Sequence, residues 1–372
     1  MNKRILIVLE ALEMGGVSRV SCVIADELVK NNHNVTLYST LSNTSYYQTN
    51  ANLHFARNKS GLSHKARKAI TKARSIFKIE TAPEFTNKTE LANLLNYLEQ
   101  HEFDTVILTA RFISYAPDIK RKFPKIKAIG WVHNNALIYL DKYYVRSRSY
   151  FIQGLSELDC LIGLTESDVQ TFSKYTSNAR LIYNPITIEK NDVISNLTAK
   201  VISFAGRVDF PHKGIDYLIE LASKLPSGWQ IKMAGDGNPK EIKRFYTLRK
   251  KLNAEAKISF EGKMNDTQLQ NHYLNSSIYV MTSRWEGMPL VLAEAMSYGL
   301  PIVAFKQSGS SEVLAAGKYG VLIENGNIDE IAEAIHTLIR DTELQKHYQQ
   351  LSLQRVHDFE LTRIMKRWEE IL

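Results

Sequence analysis

Cysteine is nearly absent: the 372 residues hold two, Cys22 and Cys160, at a separation that fits no metal or redox spacing. A disulfide framework is excluded, and the usage is that of a reducing compartment. Long apolar runs are lacking as well. The opening MNKRILIVLE has two basic residues and then five strongly apolar ones before an acid. That is too short and too charged for a secretory signal, and no run reaches the roughly 20 apolar residues of a membrane span. The expectation is a soluble, cytoplasmic protein. No Asp-x-Asp suggests a loop-borne metal, and no G-x-G-x-x-G dinucleotide fingerprint occurs, which disfavours a nicotinamide oxidoreductase.

What is present is ordinary globular material, 44% hydrophobic, in a chain long enough for two domains. Its net charge of +8 is unevenly spread: residues 1–185 carry 24 Lys and Arg against 16 Asp and Glu, and the remainder is neutral. One-sided charge points to an anionic partner for the first half. Much of it comes from Arg57 to Lys78, which holds eight basic residues and no acid beside a modest apolar stripe of Ala66, Ile70, Ala73 and Ile76-Phe77. A basic amphipathic helix there would suit an anionic membrane or polymer. Phe77 is its only aromatic for base stacking, so a nucleic-acid partner is not expected.

Short β-branched and leucine runs recur through the chain. Arg4–Leu9, Val35–Tyr38, Thr105–Leu108, Ala128–Val132, Cys160–Leu164 and Leu181–Tyr183 read as strands of a first set. Val201–Phe204, Gln230–Met233, Ser259–Phe260, Ile278–Met281, Ile302–Phe305 and Val321–Ile323 read as a second. Helical patterns lie between them, so the fold class is α/β, with two doubly wound parallel-sheet (Rossmann-like) domains. Pro185 and the polar stretch after it mark the break. Residues 1–185 and 186–350 are the expected domains, and 351–372 an end helix crossing back to the first.

Ligand sites in such sheets lie beyond the carboxyl ends of the strands, and the chemistry-bearing residues stand there. Arg207 follows VISFAG, and Lys213-Gly214 opens a helix six residues on. Together they offer a planar fork and a mobile point charge to a diphosphate. Gly235, in the Ala234–Gly237 turn, allows close backbone approach. Glu286 stands in a loop ahead of a helix that carries Glu294; the amides of Gly287, Met288, Leu290 and Val291, with Pro289 among them but lacking an N–H, form that helix's start. In the first half, Gly15-Gly16 follows the first strand, and His133 ends the strand Ala128–Val132. Thr165 at the next strand end would cap a helix.

The Arg207/Lys213 pair, the Ala-Gly-Asp-Gly turn, and Glu286-x7-Glu294 with Ala295-Met296 and Gly299–Val303 resemble the retaining glycosyltransferases of family 4, the glycosyl transferases group 1. The likeness runs over nearly the whole chain and implies the GT-B architecture, two domains facing a cleft. It implies donor diphosphate binding by Arg207 and Lys213 and sugar hydroxyls on Glu286. It also implies sugar and phosphate contacts from the Met288–Val291 amides, ribose on Glu294, and His133 beside the reacting sugar. Gly16 falls in the family's Gly-Gly-x-Glu-Arg loop, where Ser18 replaces the Glu, and Ser310-Ser311 stand where Gly/Pro is usual before Glu312. The expected enzyme is a metal-independent, cofactor-free hexosyltransferase with a nucleotide sugar, UDP-linked for preference, as donor. Its acceptor would be a cell-envelope glycan, a teichoic-type polymer or a lipid-linked saccharide, and 57–78 would touch the inner membrane face. A sugar-nucleotide epimerase or hydrolase would use the same scaffold without an acceptor. A non-catalytic partner subunit would typically lose the Glu/Arg/Lys set.

Overall fold

The computed structural model describes residues 2–56, 83–188 and 193–372, with side chains omitted at 83–88. The basic segment 57–78 lies outside the described residues. The chain forms two compact units, Met1–Asn184 with Ile364–Leu372, and Pro185–Arg363.

Among the described residues the first unit holds seven strands: β1 (Arg4–Leu9), β2 (Asn34–Ser39), β3 (Asn52–Phe55), β4 (Thr105–Thr109), β5 (Lys127–Trp131), β6 (Cys160–Gly163) and β7 (Ala179–Leu181). All pair in parallel, in the order β3-β2-β1-β4-β5-β6-β7. The second unit holds β8 (Val201–Ala205), β9 (Gln230–Ala234), β10 (Ile258–Gly262), β11 (Ile278–Met281), β12 (Ile302–Phe305) and β13 (Val321–Ile323). These too are parallel, in the order β10-β9-β8-β11-β12-β13. Both sheets therefore reverse direction beside their first strand, between β1 and β4 and between β8 and β11. These two crossovers are where a doubly wound sheet opens a crevice.

Helices cover both faces of such a sheet, so its strands bury both sets of side chains. Ile5 to Leu9 are wholly buried, as are Ile278 to Val280 and Ile302 to Phe305. Each such aliphatic side chain contributes about 1.5–3 kcal/mol. β3 escapes the sequence pattern because it is an edge strand with Asn52 and Leu53 open to water. β7 begins two residues ahead of the expected Leu181.

The helix Leu361–Ile371 starts in the second unit, and from Ile364 it belongs to the first. There Trp368 meets Trp131 of β5 edge to face at 4.8 Å, and both rings are 1% exposed. Glu369 accepts from Asn31 at 2.8 Å and lies 3.2 Å from His33. No helix among the described residues is long and apolar enough to cross a membrane.

Candidate active site

In the second unit several charged side chains meet at the β8/β11 crossover. β8 runs into Gly206 and Arg207, and a short helix, Phe210–Lys213, follows under the Asp209 cap, whose carboxylate accepts from the His212 amide at 3.0 Å. Gly214 then turns the chain through a left-handed conformation (φ 63°) into the helix Ile215–Ser223. A β-carbon at Gly214 would stand 2.1 Å from the Thr282 carbonyl oxygen, so glycine is obligatory there. Thr282, just past β11, donates back to the Lys213 carbonyl at 3.0 Å. The two strand ends are thus stitched together.

This brings Lys213 onto Glu286, with Nζ 2.5 Å from Oε1. His212 lies on the other carboxylate oxygen, Nε2 3.4 Å from Oε2. Glu286 is 8% exposed. Burial pushes its carboxyl up, but the Lys213 ammonium and the hydrogen bond from His212 overcome this and hold it at about 2. It is a fixed anion at any working pH. Its backbone is pinned as well: the Glu286 amide donates to Gln307 Oε1 at 3.2 Å, and Gln307 also accepts from Gly309 N.

Arg284 braces the loop from below. It is bidentate to Asp216 at 2.7 and 3.0 Å, donates to the Phe210 carbonyl at 2.6 Å, and lies 4.0 Å over the Tyr217 ring. Arg207, by contrast, is exposed, and no hydrogen bond or ion pair engages it among the described residues. The site therefore holds one cation neutralised by Glu286 and one open to an incoming anion.

The other residues expected here divide into two groups. Gly287, Met288 and Pro289 are buried and lead into the helix Leu290–Ser297, with Pro289 at its cap position. Gly309 packs against this loop so closely that a β-carbon on it would stand 2.2 Å from the Gly287 carbonyl. Leu290 and Val291 form the first turn. Gly235 sits after β9 at φ 148°, where a β-carbon would meet the Gly206 carbonyl at 2.0 Å. Glu294 faces another set of partners: Oε1 accepts from Thr187 at 3.0 Å and Oε2 from Tyr273 at 3.3 Å. A ribose hydroxyl reaching it would join these bonds or displace one.

Gly16 and His133 belong to the first unit. Gly16 is exposed and opens the helix Gly16–Lys30, where Ser18 donates to the Ala11 carbonyl at 3.0 Å. His133 follows β5, 4.3 Å from the Trp131 ring. Burial drives its imidazole down to about 3, so it is neutral, and its buried Nε2 has no hydrogen-bond partner among the described residues. Thr165 does cap a helix, accepting from Asp168 N.

At the β1/β4 crossover the structure adds a cluster that no spacing in the sequence announces. Arg111 is bidentate to the wholly buried Glu90 at 2.6 and 2.9 Å, and its Nε lies 3.4 Å from the exposed Glu10. Tyr115 donates to Glu90 at 2.8 Å. Among the described residues, no group of three or more His, Cys, Asp or Glu could hold a metal ion.

Residues 186–354, nearly the whole second unit, match the family model described as glycosyl transferases group 1. An uncharacterized glycosyltransferase of Haemophilus influenzae is 30% identical over 96% of each chain. The amylovoran biosynthesis glycosyltransferase AmsD of Erwinia amylovora is 24% identical over 99% of each. Among solved structures, Staphylococcus aureus TarM, in a complex with UDP, superposes with a TM-score of 0.77 at 18% identity, covering 99% of both chains. The two Rossmann-like units are thus of the GT-B class, and the chain belongs to the glycosyl transferases group 1, a family of glycosyltransferases.

Proposed function

We propose that the protein transfers a hexose or N-acetylhexosamine from a nucleotide diphosphate sugar, UDP-linked for preference, to a cell-envelope glycan, with retention of anomeric configuration. A teichoic-type polymer and a lipid-linked saccharide belong to the same acceptor class. The observation that carries this reading is the β8/β11 crossover: a lysine poised on a buried glutamate, beside an arginine that no partner among the described residues engages. The UDP and alpha-GlcNAc-glycerol in the TarM complex, and the name of a Salmonella typhimurium relative, a lipopolysaccharide 1,6-galactosyltransferase, support the donor and acceptor classes.

On this reading Arg207 and Lys213 grip the diphosphate, Glu286 takes hydroxyls of the transferred sugar, and the Gly287–Val291 amides contact sugar and phosphate. Glu294 takes the ribose, with Gly235 keeping the backbone close. The acceptor docks on the first unit, where Gly16 and His133 lie. Its hydroxyl oxygen bonds to the anomeric carbon on the face that the phosphate leaves. As that C–O bond to phosphate breaks, a phosphate oxygen takes the hydroxyl proton. The two cations stabilise the charge that develops on the leaving group, as a divalent metal does elsewhere, so no metal or cofactor is required. Residues 57–78 would rest on the anionic inner face of the membrane.

Thermal-shift screening against UDP, GDP and ADP and their sugar conjugates, with EDTA present, tests the donor site. One nucleotide should raise Tm clearly. The absence of a shift with all of them would favour a non-catalytic subunit. Sugar release without acceptor, as fast as transfer with it, would instead mark a hydrolase.

A further inference from the structure

His212 has no place in the roles above, yet four contacts fix it at the centre of the site. Its backbone amide is held by the Asp209 carboxylate. Its ring lies flat against the Trp285 indole, centroids 5.1 Å apart and planes 13° apart. Its Nε2 is 2.8 Å from the Trp285 carbonyl oxygen and 3.4 Å from Glu286 Oε2.

A carbonyl oxygen only accepts, so Nε2 must carry a hydrogen. The tautomer is thereby set by the backbone, and the same N–H faces the Glu286 carboxylate. Consecutive residues of one short helix, His212 and Lys213, thus claim the two oxygens of one carboxylate. A buried carboxylate held by lysine alone could swing about its terminal bond, which has no strong rotamer preference. A second donor, itself locked by an indole face and a carbonyl, removes that freedom.

We propose that His212 is a positioning residue: it orients the Glu286 carboxylate toward the sugar of the donor, and so sets how the site reads sugar as opposed to nucleotide. This rests on the donor reading given above. The diphosphate is left to Arg207 and Lys213, so the nucleotide alone should be indifferent to His212.

The test is calorimetry on the full chain with UDP, GDP and ADP, each alone and as its glucose conjugate. His212→Phe keeps the stack on Trp285 and removes the donor. The nucleotide that binds wild type should keep its Kd within about twofold, while its glucose conjugate weakens about tenfold, the size of a hydrogen bond to a charged group. His212→Gln, which restores an N–H, should recover most of that loss, and Tm should stay within about 2 °C throughout. Equal weakening of nucleotide and conjugate would overturn the proposal, since a merely structural role predicts it. So would an unchanged conjugate, or a Gln variant no better than Phe. Wild type that binds none of the six overturns the donor reading itself, and this one with it; Lys213→Ala losing both ligands while His212→Phe changes neither overturns this one alone.

Discussion

The two crossovers are built on one plan and filled in opposite ways. Both sheets reverse beside their first strand, and both place an ion pair there. In the second unit the anion, Glu286, is fixed from several sides, and a second cation, Arg207, is left open. In the first, the cation is the captive: Arg111 spends both terminal nitrogens on buried Glu90 and its Nε on Glu10. Burial works against the Arg111 charge, and Glu90 outweighs it. Although the sequence's entire charge excess lies in the first half, this cluster carries two carboxylates against one guanidinium. Net charge of a domain therefore says little about the charge at its ligand crevice, where pairing decides what remains.

Substitutions can break or sharpen that contrast. Lys213→Ala should have the largest effect, lowering donor turnover about 10²–10³-fold, as loss of one transition-state donor does. Steady-state assays on folded protein check it, and unchanged turnover would sink the assignment. Arg111→Ala should act on stability instead. It leaves the buried Glu90 carboxylate with the Tyr115 hydroxyl but no counter-charge, at a cost of about 3–5 kcal/mol, and the drop in Tm should be largely reversed by adding Glu90→Gln.

The Glu286 carboxyl supplies a pH test. Its value of about 2 lies below the ordinary 4.5, so folding gains from its ionisation. That gain is complete above pH 4.5 and is lost as pH falls toward 2; it amounts to about 3 kcal/mol. Denaturation midpoints between pH 6 and 3 should show it, and Glu286→Gln should flatten that limb. Arg207→Ala should be nearly silent in stability, within about 0.5 kcal/mol, while weakening nucleotide binding about tenfold or more. A marked fall in Tm would mean that the guanidinium is structural after all.

How far the sequence reveals such a site depends on the range of the interaction. Strands buried on both faces, such as RILIVL in β1, show as continuous apolar runs, whereas β3 lies on an edge and gives Asn52 and Leu53 to water. Arg207, Lys213 and Glu286 were legible because each follows a strand end. The Arg111–Glu90 pair joins a strand end to a helix 21 residues earlier, and no local pattern encodes it. His212 is a single histidine beside Lys213 and carries no spacing signal of its own. Asp209, three residues ahead as a cap, was the available sign that His212 and Lys213 share one helical turn.

The excursion of Ile364–Leu372 into the first unit has a consequence for how the protein is made. The second unit is a continuous stretch, Pro185–Arg363, and can close as soon as it has left the ribosome. The first must wait, although its strands are synthesised earlier, because the Trp131 face stays uncovered until Trp368 arrives. The unit begun first is thus completed by the last-made residues, 364–372. The half that is begun first therefore lacks part of its own packing until residues 364–372 are added.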